Sequence, residues 1–438
     1  MQNLENNQKQ SNMQKVALTA LAGTSIEWYD FFLYGAAAAL IFPTAFFGEM
    51  PPTTALLLSL LTFAAGFIAR PIGGIIFGHF GDKVGRKKTL ISALMLMGIS
   101  STLIGLLPTY AMIGVAAPIL LTSLRFAQGL AIGGQWGGAM LLVTESAPSN
   151  QRGYYGAFAQ AGAPIGVILA NLALIITSAL VSEEFFNTWG WRIPFLASAV
   201  LIIISMYIQL NLEDTDAFKA LVNNKGIQSD ENIKKSPVIE AIKKYPKRIF
   251  LAAGAFLSVQ VTFYILIAFM LAYGVTSANM ARDDMLAAVL IASAIMVPIQ
   301  FVFSSYSDRH GRKGIFMLGA VLTGIWAFAI FPLVDTGNFY LIVLAITGGL
   351  VFLAMMYGPQ AAFFTELFST EVRYSGATLG YQFGAIVGGA FAPTIAVKLW
   401  TEFDIIWVSA YIALASLLTL ISVMALTETY QSDLNNTD

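Results

Sequence analysis

The chain has 438 residues, 57% of them hydrophobic and 11% charged, with a formal net charge of −1 and no cysteine. A soluble domain carries about 25% charged residues, so this composition, with its long apolar runs, belongs to the membrane class. It excludes disulfides, thiol catalysis and thiolate metal sites, and it gives no bulk attraction to nucleic acid.

Residues 1–15 are polar, rich in Asn and Gln, and lack the apolar core and cleavage site of a signal peptide. They read as an N-terminal tail, and the first apolar segment reads as a retained span. A crossing needs about 20 apolar residues. Twelve spans are predicted, at roughly 16–44, 54–80, 89–108, 112–144, 154–181, 192–212, 249–276, 284–306, 314–334, 338–366, 375–399 and 404–427. Pro71, Pro164, Pro298, Pro359 and Pro393 interrupt them, which membrane helices tolerate when neighbours satisfy the freed backbone groups. The longest polar stretch, 213–248, is Lys-rich and reads as a linker with one surface helix from Pro237 to Lys244. It divides the chain into two six-span halves, 16–212 and 249–427, followed by a polar tail, 428–438.

Orientation follows from Lys and Arg. With the N-terminus in the cytoplasm, nineteen of the 24 basic residues lie inside, and Arg192, Arg282 and Lys398 lie outside. Arg70 and Arg125 lie within spans. The positive-inside rule then puts both termini in the cytoplasm and supports an even number of spans.

A charged, glycine-bearing string occurs twice: Gly81-Asp82-Lys83-Val84-Gly85-Arg86-Lys87 and Ser307-Asp308-Arg309-His310-Gly311-Arg312-Lys313. Asp82 and Asp308 are 226 positions apart, about half the chain. Two such copies between long apolar segments predict a duplicated helical bundle, and so a transporter. Gly81 and Gly85 allow tight turning. Asp82 ends one helix and accepts from the next helix's N-terminus or from an Arg. Arg86 and Lys87 supply cations for a carboxylate on a neighbouring span. A second repeat supplies carboxylates: Glu145 with Arg152, and Glu366 with Arg373, each pair seven positions apart. Together with Asp308, Arg309, Gly311 and Arg312, these residues predict a cytoplasmic ion-pair latch that breaks when the protein opens inward. Topology alone explains the basic residues but not acids and glycines recurring in register. His79 and His310 flank the clusters and read as solvated loop histidines.

The run from Gly78 to Lys88 resembles the loop signature of the major facilitator superfamily; the second copy is degenerate, with Ser304 at the place of Gly78. More narrowly, Glu27-Trp28-Tyr29-Asp30-Phe31-Phe32-Leu33-Tyr34-Gly35 is similar to the metabolite:proton symporter family. So are Arg70-Pro71-Ile72-Gly73-Gly74, Gly133-Gly134-Gln135-Trp136-Gly137-Gly138-Ala139 and Trp189-Gly190-Trp191-Arg192-Ile193-Pro194-Phe195. That family holds carriers of shikimate, citrate, 2-oxoglutarate and proline/betaine. The resemblance spans nearly the whole chain, most sharply residues 24–212. It implies an all-α membrane protein of the cell membrane with the major facilitator fold, two six-helix bundles and both termini cytoplasmic. It also implies a central site and alternating access. The implied partners are the bilayer, protons and a small carboxylate or zwitterion as substrate. The implied energy source is the proton gradient with no cofactor, and one copy suffices to form the pathway.

Four ionisable residues, Glu27, Asp30, Arg70 and Arg125, sit within first-half spans. Each charge at a span centre costs roughly 2.5–3.5 kcal/mol on insertion scales, so such groups face the interior and are paired. Glu27, Asp30 and Tyr34 share one helix face. A carboxyl that alternates between dry and Arg-paired surroundings takes a proton on one side and releases it on the other. Asp30, with Glu27 behind it, is therefore the candidate coupling site. Arg125 either anchors an anionic substrate, bidentately, or pairs with Asp30. Gln128, Ile132 and Gln135 or Trp136 follow it on one face. Gln160, Val167 and Asn171 share a face of the fifth span, which Gly162 and Pro164 can bend. Arg70 joins the candidate pocket. In the second half the buried polar groups are neutral, and Gln260, Tyr264, Gln300, Tyr357, Gln360, Tyr381 and Gln382 are candidate pocket lining or interhelical hydrogen-bonding groups.

Gln135 departs from the related family, which has Glu there; Gln cannot release a proton. A facilitator, exchanger or exporter of the same fold is therefore the alternative to a proton symporter. A transporter-like solute sensor is a second alternative. No metal-ligand cluster, nucleophile triad or phosphate loop appears, which excludes a membrane enzyme and disfavours a nucleotide-driven pump.

Overall fold

The computed structural model describes residues 2–84, 86–133, 140, 143–144, 147–213, 237–368 and 373–430, with side chains described for 13–77, 91–133, 140, 143–144, 147–207, 241–368, 373 and 375–430. Among these residues every regular element is helical. A chain in hydrocarbon must satisfy its backbone polar groups internally, and helices do so within each segment.

The first half comprises α1 (Gln2–Leu40), α2 (Pro52–Val84), α3 (Arg86–Leu106), α4 (Ala116–Gly133), α5 (Arg152–Leu180) and α6 (Ile193–Glu213). The second comprises α7 (Pro246–Thr276), α8 (Arg282–His310), α9 (Arg312–Val334), α10 (Phe339–Glu366), α11 (Arg373–Gly384 continued by Ala385–Ala390 and Ala392–Glu402) and α12 (Ile405–Ala425). Ten of these are long and apolar enough to cross a membrane. The other two expected spans are α1, whose apolar run carries Glu27 and Asp30, and α3, whose described side chains, Ile91–Leu106, form an apolar helix. Side chains such as Ile325 on α9, Leu344 on α10 and Leu417 on α12 are bare on the outside, as a lipid-facing surface requires.

The structure departs from the predicted boundaries in two places. The polar residues read as a tail continue α1 from Gln2, and Met13, Ala17 and Ala20 pack against Val143, Ala147 and Tyr155. The first span ends at Leu40, because Pro43 starts a separate short helix, Phe42–Phe47. The predicted surface helix at Pro237–Lys244 is present, while linker residues 214–236 lie outside the described residues.

Within the first half α1 packs on α5, α2 on α4, and α3 on α6; within the second, α8 and α9 pack on α10, α9 on α12, and α7 on α11 and α12. The halves meet along α5 with α8 and α10, and along α2 with α11. Glycines bring α2 and α4 into backbone contact. A Cβ on Gly129 would strike the Gly66 carbonyl oxygen, one on Gly133 the Arg70 carbonyl oxygen, and one on Gly73 the Leu130 carbonyl oxygen. Two π-helical turns, Ile265–Phe269 in α7 and Ala385–Ala390 in α11, both belong to the second half. Such turns concentrate at functional sites.

Candidate functional site

Asp30, Arg70 and Arg125 converge at the centre of the first half, at 1%, 1% and 0% exposure. Ser101 and Ser198 face the Asp30 carboxyl, but neither of its oxygens closes a bond of ordinary length and angle. Arg125 acts on it through space. A hydrogen-bonded relay runs from one towards the other. Arg125 Nη1 donates to Gln128 Oε1 at 3.1 Å, and Gln128 Nε2 donates to Ser101 Oγ at 2.7 Å.

Aromatic rings hold both guanidiniums. Arg125 lies over Phe31 at 4.1 Å, Tyr34 at 4.3 Å and Phe63 at 4.6 Å. Arg70 lies over Phe31 at 4.3 Å, Phe67 at 4.5 Å and Trp28 at 5.3 Å. A desolvated contact of this kind contributes up to about 2 kcal/mol. Sharing Phe31 puts the two cations within roughly 8 Å of each other, where like charges repel by about 2 kcal/mol at an effective dielectric near 20. On each guanidinium Nε and Nη2 have no hydrogen-bond partner. Tyr34 is fixed by a 2.7 Å bond to Thr62.

Arg70 also faces the Tyr264 and Tyr381 hydroxyls across the boundary between the halves. With Tyr357, Trp28, Phe32, Phe263 and Gln260, these tyrosines line a central cavity of about 10 Å³. That volume holds about one water, so a substrate enters only when the helices part.

The other predicted residues lie as follows. Gln160 Nε2 donates to the Tyr357 carbonyl (3.2 Å), Asn171 Nδ2 to that of Leu286 (3.1 Å), and Gln300 Nε2 to that of Ala157 (3.2 Å). These three therefore tie the halves together rather than line the cavity. Both amide atoms of Gln360, and Oε1 of Gln382, are buried without a partner. Glu27 is half-buried, one turn before Asp30. Gln135, Trp136 and Glu145, and the side chains at Gly81, Asp82, Gly85, Arg86 and Lys87, lie outside the described residues.

The second charged string is described in full. Gly311, at φ +101°, makes the turn from α8 to α9. Arg312, 1% exposed in its side chain, bonds Asp308 Oδ1 at 2.6 Å and meets both oxygens of Glu366, at 3.2 and 3.3 Å. Arg152 of the first half reaches the same Glu366 at 3.9 Å. Asp308 accepts from the Gly153 and Tyr154 amides at the start of α5, each at 2.8 Å. Arg373 instead caps the end of α10, donating from Nε to the carbonyls of Thr365 (3.1 Å) and Phe368 (3.3 Å). The Arg309 side chain is exposed, and His310 stacks on Tyr306 at 4.2 Å.

Sequence reasoning missed the ring cage (Phe31, Phe63, Phe67), the Ser101 relay and two residues of the supposed tail. Glu428 accepts from the Arg312 and Lys313 amides at 3.0 Å, and Thr429 donates to Glu366 at 2.8 Å. A carboxylate two residues past an apolar run, available to a helix N-terminus, was the signal for Glu428. Among the described residues no three His, Cys, Asp or Glu side chains group to hold a metal.

Residues 20–378 match the family model of the Major Facilitator Superfamily. An inner membrane metabolite transport protein of Escherichia coli K12 is 40% identical over 432 residues, covering 97% of this chain and 96% of the relative. The shikimate transporter of Escherichia coli K12 is 37% identical over 405 residues, 92% of each. A solved structure of the proton:xylose symporter XylE, bound to 6-bromo-6-deoxy-D-glucose, superposes with TM-score 0.72 over 98% of both chains at 17% identity. With its apolar helices, its closed central cavity and the ion pairs across its halves, the chain belongs to the major facilitator superfamily and is a multi-pass membrane transporter, not an enzyme.

Proposed function

We propose that this transporter takes up a small organic acid or zwitterion together with protons, by alternating access, using twelve spans with both termini in the cytoplasm. The observation that carries this reading is a charge imbalance. Among the fully buried, described groups at the centre, two guanidiniums stand against one carboxyl, and four guanidinium nitrogens lack acceptors. A substrate carboxylate supplies both the missing charge and the missing acceptors.

The roles divide by position. Arg70 adjoins the cavity through Tyr264 and Tyr381, which supports it as the anchor of the substrate carboxylate. Arg125 is linked towards Asp30 by Gln128 and Ser101, which supports the second of its two predicted roles. Protonation of Asp30 removes the one fully buried negative charge beside the arginines. Substrate and proton then stabilise one another in the site. Neither Asp30 nor the substrate can leave its charge uncompensated in the dry core, and this links their movements. Trp28, Phe32 and Phe263 supply apolar contact for the substrate's body. One copy of the chain contains the whole pathway.

Uptake of radiolabelled small carboxylates and betaines into proteoliposomes tests this reading. An inwardly directed proton gradient should drive accumulation that an uncoupler abolishes. Transport that equilibrates the substrate and ignores the uncoupler would instead mark a facilitator or exchanger. Saturable binding without flux would mark a sensor.

A further inference from the structure

The helices α5 and α8 run antiparallel along the boundary between the halves and are bonded at both ends. At one end the Gly153 and Tyr154 amides hold Asp308, beside Arg312 and Glu366. At the other end Ser178, near the end of α5, meets Arg282 and Asp283 at the start of α8. Ser178 Oγ donates to Asp283 Oδ2 at 2.8 Å and accepts from Arg282 Nη2 at 2.9 Å. Arg282 Nη1 donates to Asn187 Oδ1 at 3.3 Å, its Nε meets Asp283 Oδ1 at 3.2 Å, and its guanidinium lies 4.0 Å from the ring centre of buried Phe186. Ser178, Phe186 and Asn187 belong to the first half, Arg282 and Asp283 to the second. The 25 residues from Gly153 to Ser178 rise roughly 38 Å, more than the ~30 Å hydrocarbon core. The two bonded clusters therefore lie at opposite membrane faces.

We propose that Arg282, held by Ser178, Asn187 and Phe186, closes a second gate on the face opposite the Asp308–Arg312–Glu366 latch, and that the two open alternately. This rests on the reading of the chain as an alternating-access carrier. The gates differ in kind. Arg312, Asp308 and Glu366 have side chains 1%, 4% and 1% exposed, against 20% for Arg282 and 43% for Asp283. Water and salt weaken the far gate and hardly reach the latch. The closed form therefore opens first at the Arg282 face, and the resting carrier presents its cavity there.

The chain has no cysteine, so Ala163→Cys, on the cavity wall, provides a lone reporter thiol. Its labelling by a membrane-impermeant maleimide is followed in right-side-out and inside-out vesicles, alongside substrate flux. Arg282→Ala should speed labelling from the Arg282 face by roughly tenfold, the factor that about 1.4 kcal/mol gives, and slow it from the other. Arg312→Ala should do the reverse. High salt should act like Arg282→Ala, and Arg282→Lys should restore part of the closure. Ser178→Ala, which removes the shared hydroxyl with little change in volume, should shift labelling in the same direction and serves if Arg282→Ala does not fold. Equal change from both faces, or none in either variant, overturns the gate. Transport with unchanged labelling keeps the carrier reading and loses the gate. Side-specific labelling without any flux keeps the gate and loses the carrier reading.

Discussion

The two halves share a topology and divide the chemistry. The first half holds its ionisable groups, Asp30, Arg70 and Arg125, in the dry centre. The second half keeps its ion pairs towards its ends, buried around Arg312 and Glu366 and more exposed at Arg282 and Asp283, and sends tyrosines and amides to the middle. The π turns of α7 and α11 also belong to the second half, just beyond Tyr264 and Tyr381. A duplicated protein can therefore bury its charge in one repeat and draw its cavity's tyrosines from the other. Charge needs a rigid, water-free cage, whereas a changing pocket needs helices that can shift register locally.

The largest expected effect tests the charge that the second half retains. Arg312→Gln leaves Asp308 and Glu366 buried without their main partner, which costs about 3–5 kcal/mol. The carrier should then open at that face, read as a lowered melting temperature and faster protease cleavage of the loops there. Next comes Asp30→Asn. Accumulation against a gradient should fall by roughly two orders of magnitude, the scale of a removed proton-transfer group, while exchange of labelled for unlabelled substrate persists. The same variant should lose the rise in uptake that the proposed coupling predicts for wild type as external pH falls. A second-half variant that lost this pH response equally would break the comparison between the halves.

Arg70→Ala should weaken substrate binding by roughly 30-fold or more, the lower bound for truncating a buried charge partner, as measured by calorimetry. Arg70→Lys should rescue little, because an ammonium lacks the planar fork. The smallest change sharpens the contrast. Tyr381→Phe should weaken binding about fivefold, in keeping with one neutral hydrogen bond, and leave the pH response unchanged.

Much of this was legible in the sequence, for local reasons. Apolar run length marks a span, and an ionisable residue inside one marks an interior site, so Asp30, Arg70 and Arg125 stood out. The duplicated string pointed to Arg312 and Glu366. What was not legible depends on how helices meet. Arg152 crosses to Glu366 of the other half. Asn171 and Gln160, read as pocket residues, bond backbone carbonyls across the boundary. Phe31, Phe63 and Phe67 look like ordinary membrane residues until α1 and α2 gather them around two cations, one on α2 and one on α4. Arg282 was visible only as one of three basic residues on the sparsely charged side, and a count of charges does not reveal Ser178 opposite it.

The glycine contacts between α2 and α4 have a further consequence. Because the two backbones touch at Gly66–Gly129, Arg70–Gly133 and Gly73–Leu130, neither helix can slide or tilt against the other without collision. Arg70 rides on one and Arg125 on the other, so the touching backbones hold the two guanidiniums as a pair of set spacing, and under the proposed alternating access that spacing should persist. What varies is the set of anions and hydroxyls brought up to the pair, by α1 from one side and by α7 and α11 from the other. The carrier thus resembles an electrode of set potential, with its partners supplying the switching.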